Sequence, residues 1–135
     1  MKAHLKKTLE NARMYTLAVA EAMPEEGYGF KPADSVWTFN ELLHHIGYGM
    51  YWWEENYIRG QAADWAPTPV TYGKQAVTKY LEQAFAHLDK SVAAAKEKEL
   101  PLEGFFATLD HITHHRGQAT VYLRCKGITP PEYMY

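Results

Sequence analysis

Seven histidines occur in this chain of 135 residues, and five fall in two tight groups, His44-His45 and His111, His114 and His115. A neutral imidazole offers a ring nitrogen to a transition metal, and its proton affinity lies close to physiological pH. Histidines four residues apart on a helix stand within about 6 Å of each other, the spacing by which one helix presents two ligands to a single ion. His111 and His115 have that spacing. At about 100° per residue they share an arc with Ile112, Ala119 and Tyr122, an arc expected to face a core, while His114 points to one side. In the other group His45 lies beside a stripe of Leu42, Ile46, Gly49 and Trp53, and His44 is expected to face away from it. One inward imidazole would then meet two. Charging three such rings in an apolar interior is costly and sets like charges against one another; a cation bound to neutral nitrogens removes both difficulties.

The set His45, His111 and His115 therefore predicts a site for a divalent transition metal. Zinc or nickel suits it best, ahead of iron, copper and cobalt, and oxygen-seeking calcium and magnesium are disfavoured. Three nitrogens leave one to three positions for water or a substrate atom, so an open site suggests chemistry. Gly49, one turn beyond His45, is expected to leave space near the ion. Gln118, one turn from His111 and His115, is placed to bond a bound water or ligand, and both positions also have ordinary packing explanations. Asp110 and Glu41 are candidate acceptors that would orient imidazoles, or else solvated surface charges. His4 and His87 read as hydrogen-bonded or exposed residues without a ligand role, and Cys125, with no base or cation placed beside it, as an inert thiol.

Helices must carry these residues, because apolar positions recur at a period of 3.6 and no alternation is long enough for a strand. The first helix is predicted from Lys2 to Met23, with Leu5, Leu9, Ala12, Thr16 and Val19 as its apolar stripe and Pro24 as its stop. A loop rich in glycine and proline follows to Trp37. Thr38-Phe39-Asn40-Glu41 has the spacing of a capping box and starts a second helix that runs to about Arg59. From Gly60 to Thr71, Pro67 and Pro69 bar a helix, and the length suits a crossover along a bundle rather than a tight reversal. The third helix is predicted from Tyr72 to Lys98 and the fourth from Gly104 to Lys126, with Gly127 just past its end. The expected fold is all-α, a four-helix bundle in one domain over residues 1–135, with a long crossover connection between the second and third helices.

Composition narrows the function classes. With a net charge of -2 and no basic stripe, nucleic acid is not an expected partner. No run is apolar and long enough to span a bilayer, and the basic start lacks the apolar stretch of a signal peptide, so no membrane partner and a cytoplasmic location are expected. A single cysteine forbids an internal disulfide. Tyr48, Tyr51 and Trp52 lie off the main stripe of the second helix, placed either to meet another subunit or to pack under the long loops.

Two segments carry a resemblance. Trp37-Thr38-Phe39-Asn40-Glu41-Leu42-Leu43-His44-His45-Ile46 is similar to the Trp-Ser/Thr-x-x-Glu-Leu-x-x-His-hydrophobic segment of the DinB family, also called DinB-like or YfiT-like. His111-Ile112-Thr113-His114-His115-Arg116-Gly117-Gln118 resembles its H-x-x-x-H-R-G-Q signature, and Gly127-Ile128-Thr129-Pro130-Pro131 its usual ending. The resemblance spans essentially the whole chain. It implies a four-helix bundle with three histidine ligands, carried onto His45, His111 and His115, and commonly a homodimer. Members with assigned activities are thiol-dependent transferases, including bacillithiol S-transferases, so it further implies a low-molecular-weight thiol as cosubstrate and a small-molecule electrophile. Two other readings stand beside it: metal-dependent hydrolysis, for which no general base is evident beside the ligands, and a metal-binding or sensing protein without catalysis.

Overall fold

The computed structural model describes residues 1–135 and contains four long helices and no strand: α1 (Lys2–Ala22), α2 (Phe39–Trp53), α3 (Lys74–Ala94) and α4 (Leu102–Cys125). α1 and α3 bury the stripes that their periodicity marks. Leu5, Leu9, Ala12, Thr16 and Val19 of α1 are buried, as are Val77, Leu81, Ala84, Leu88 and Val92 of α3. At the start of α2 both halves of the capping box form: Thr38 Oγ1 accepts from the Glu41 amide at 3.1 Å and Glu41 Oε2 from the Thr38 amide at 2.9 Å. Such a cap contributes about 1 kcal/mol and fixes where the helix bearing His45 begins. Gly127, with φ of 73°, takes the left-handed position after α4.

Contacts fix the directions of the helices. The start of α1 meets the end of α3, where Lys2 Nζ donates to the carbonyls of Ala93 and Ala95, and its end meets the start of α3, where Lys74 Nζ donates to Glu21 O. Those two helices are antiparallel. α2 and α3 instead run the same way: His44 stacks on Tyr80, and further along Tyr51 lies against His87. α4 opposes α2, bringing His111 and His115 to His45. α1 and α2 each pack against both α3 and α4, so they stand on a diagonal.

Parallel neighbours need a connection that travels the length of the bundle, and residues 59–73 supply it by retracing α2. Ala63 O accepts from Trp52 Nε1, the Ala66 amide donates to Tyr48 Oη, Thr68 O lies 3.2 Å from His44 Nε2, and Thr71 O accepts from Asn40 Nδ2. The expected crossover is therefore present, and it corrects the reading of His44. That ring, expected to face away from the interior, is 3% exposed because the crossover covers its side of α2. Tyr48 and Trp52 likewise pack under the crossover, and Tyr51 packs against Tyr80 and His87 of α3.

Helix ends differ modestly from the sequence reading. α3 stops at Ala94, with a separate 3-10 turn at Glu97–Glu99. Past Trp53 the second helix widens into a π-helical turn, Glu54–Ile58. α4 starts close beside it: a Cβ at Gly104 would stand 2.2 Å from Tyr57 O, so only glycine allows this approach.

Candidate metal centre

α2 and α4 cross where their small and imidazole-bearing positions coincide. His45 Nε2 lies 3.1 Å from His111 Nε2 and 3.0 Å from His115 Nε2, and the three nitrogens all fall within 4.8 Å of one another. Gly49 makes this approach possible. A Cβ there would stand 2.2 Å from His111 Cε1, so the space that glycine leaves is filled by a histidine ring rather than held open for an ion.

Proton accounting shows what these nitrogens can do. His115 Nδ1 donates to Gln118 Oε1 at 2.8 Å, which places its proton on Nδ1 and leaves the Nε2 lone pair facing His45. His111 Nδ1 is buried without a hydrogen-bond partner. Burial first, then the neighbouring imidazoles, depress the His45 pKa to about 4 and that of His111 to about 3. Burial also lowers His115, against the opposing pull of its bond to Gln118. All three rings are thus neutral at pH 7, which is the form that binds metal.

The donor set fits an ion. Ligand nitrogens about 2.0–2.1 Å from a zinc-sized centre lie about 2.9 Å apart in octahedral and about 3.3 Å apart in tetrahedral coordination. Two of the three separations, 3.0 and 3.1 Å, fall between these, and the third is within 4.8 Å. A proton on His45 Nε2 could make one good bond, to His111 or to His115, and would leave the other lone pair facing it unmatched.

The remaining candidates are placed differently from expectation. Gln118 bonds His115 itself and so sets its tautomer. Asp110 is exposed on α4 and bonds none of the three imidazoles, because adjacent positions on a helix diverge by about 100°. Glu41 is committed to the cap of α2 and also bonds no imidazole. His114 is exposed, its Nε2 3.5 Å from Gln118 Nε2.

Two clefts reach the cluster, one on each side of Trp37. One, of about 600 Å³, is lined by Ser35, Trp37, His115, Gln118 and Val121, and the other, of about 450 Å³, by Trp37, Glu41, His45, Tyr48, Trp65 and Val70. The Trp37 ring lies 4.4 Å from that of His45 and 6.0 Å from that of His115, and the Trp65 ring 5.4 Å from that of His45. Trp65 carries no sequence signal, because only the path of the crossover brings it to α2.

The family model of the DinB superfamily matches residues 8–119. The fold is similar to that of a DinB-like protein from Bacillus cereus ATCC 10987, with a TM-score of 0.80 and 15% identity over 96% of this chain and 95% of that one. It is also similar to the DinB-like protein YjoA from Bacillus subtilis, with a TM-score of 0.79 and 17% identity over 96% of each chain. No curated protein matches the chain.

Proposed function

The chain belongs to the DinB superfamily, and we propose that it is a metal-dependent enzyme that joins a low-molecular-weight thiol, of the bacillithiol type, to a small electrophile. The observation that carries this reading is the convergence of the three imidazole Nε2 atoms, neutral and without matching protons, at a point reached by two clefts. His45, His111 and His115 would hold the ion, with zinc or nickel the best match to three nitrogens. A bound dication stabilises thiolate over thiol and so supplies a nucleophile at neutral pH.

The protein residues have separate tasks. Gln118 keeps the proton of His115 on Nδ1 and its lone pair inward. Gly49 admits the His111 ring. Trp37 covers one flank of His45 and limits water there. In the reaction the thiolate sulfur forms a bond to the electrophilic carbon, the bond from that carbon to its leaving group breaks with its electron pair, and the thiol proton passes to solvent.

Clefts of this size beside the ligands favour catalysis over a purely structural ion, which would be enclosed. A homodimer in the cytoplasm belongs to the same reading. The test is to load the purified protein with cobalt or nickel and titrate it with bacillithiol. A change in the visible spectrum, absent in His115→Ala, is expected; an unchanged spectrum would remove the thiol from the proposal.

A further inference from the structure

Two tryptophans are left wet beside the histidine cluster. Trp37 is 46% and Trp65 43% exposed, although their rings flank the same imidazole at 4.4 and 5.4 Å. They arrive from different segments, one from the connection before α2 and one from the crossover. Trp65 is held upright by edge contacts to Tyr48 at 4.8 Å and Trp52 at 5.3 Å, and the neighbouring Ala66 amide is fixed by Tyr48 Oη at 2.9 Å. Its indole is thus oriented in advance, which lowers the entropy that a ligand must overcome on stacking.

Charge narrows what fits between them. Neither cleft is lined by a lysine or arginine. Arg116, next to His115 in sequence, is turned the other way, 4.9 Å from the Tyr15 ring centroid and 5.7 Å from that of Tyr133. The one carboxylate, Glu41, lines the His45 side, and one of its oxygens is committed to the Thr38 amide. An organic cation would meet the ion for which the imidazoles are arranged, and an anionic group on the ring would meet Glu41 and, with no lysine or arginine in the lining, could be held by that ion alone. A neutral ring meets neither penalty and gains contact with Trp37, Trp65, Tyr48 and Val70, which line the cleft.

We propose that the cleft between Trp37 and Trp65 on the His45 side is the subsite for an uncharged aromatic ring of the substrate, with Glu41 disfavouring a carboxylate on that ring. The proposal rests on the reading of the cluster as a metal centre open to small molecules, and it identifies the class of molecule delivered there.

Calorimetric titration of the metal-loaded protein with naphthylmethanol and with naphthoate tests it. Trp65→Ala is expected to weaken naphthylmethanol about three- to tenfold, the range of one aromatic contact. Trp65 is half-exposed on a loop, and a thermal melt checks that the variant is folded. Glu41→Gln keeps the cap, since glutamine serves at that position. It should leave naphthylmethanol unchanged and tighten naphthoate about threefold or more. Naphthylmethanol affinity indifferent to Trp65→Ala, or naphthoate affinity indifferent to Glu41→Gln, overturns the proposal. Elemental analysis of the same samples keeps the two readings apart. A protein that holds no ion yet binds the ring through Trp65 defeats the metal reading and sustains the cleft; one that holds the ion and binds the ring equally without Trp65 defeats the cleft alone.

Discussion

α2 and the turn that follows it carry ionisable groups into the interior at two places, and the two are built on opposite plans. Glu54 is wholly buried, yet its carboxylate accepts from Arg59 Nε at 2.9 Å and from Ser91 Oγ at 2.8 Å, with His87 Nε2 at 2.9 Å. Burial alone would raise this carboxyl, but the bonds from His87, Ser91 and Arg59 together hold it below its ordinary value. Both oxygens of that carboxylate are bonded within the protein. Two turns earlier, His45 faces His111 and His115 with no acid within bonding reach, and His111 Nδ1 has no partner at all. Burial of ionisable groups is thus common to both places. What marks the second as a site is that its protons and lone pairs do not close without something added.

Breaking each place in turn should give opposite results. His111→Ala or His115→Ala is expected to abolish stoichiometric metal binding, measured by elemental analysis, while His114→Ala leaves it intact because that ring is exposed. Equal loss in all three variants would refute the assignment of inward positions. Glu54→Ala should leave metal stoichiometry unchanged but lower unfolding stability by about 1–3 kcal/mol, since it removes the buried partner of Arg59, Ser91 and His87 and leaves a gap. Denaturant melts check this, and an effect below about 1 kcal/mol would mean that the carboxylate is not the keystone of that end of the bundle.

How much of this is legible in the sequence depends on the range of the cause. The capping box at Thr38 and Glu41 and the inward arc of His111 and His115 follow from spacing within single helices, and both appear as expected. The crossover is legible from length and prolines, but its path is not. Consequently His44, Tyr48 and Trp65 take roles set by partners about twenty positions away in sequence. The partnership of Glu54 with His87 and Ser91 likewise depends on α2 and α3 being parallel, and the π turn after Trp53 has no evident pattern. Asp110 shows the converse: proximity in sequence to His111 places it on another face.

Smaller effects sharpen the same contrast. Gly49→Ala would drive a methyl group into His111 and is expected to cost about 1–3 kcal/mol as well as weaken metal binding, whereas alanine at the exposed Gly117, where a Cβ meets nothing within 4 Å, should do neither. The two places also separate by pH in metal-free protein. His45 and His111 have folded pKa values near 4 and 3, below the 6.5 of a free histidine, so the unfolded chain takes up their protons first. Their contribution is complete above about pH 6.5 and is lost as pH falls toward 4 and then 3. Glu54, also depressed but from 4.5, contributes above that value and loses its share only below it. Stability against pH should therefore fall in two stages, and His111→Ala should shrink the first while sparing the second. Bound metal should resist the first stage, because in the folded protein protons compete for His45 and His111 only as pH falls toward 4 and 3.

The most direct test of the central claim is X-ray absorption at the edge of whichever metal the purified protein carries. The arrangement of His45, His111 and His115 predicts three imidazole nitrogens at about 2.0–2.1 Å, completed by one to three light-atom ligands from water. A shell dominated by carboxylate or sulfur, or a preparation that retains no metal after reconstitution, would contradict it.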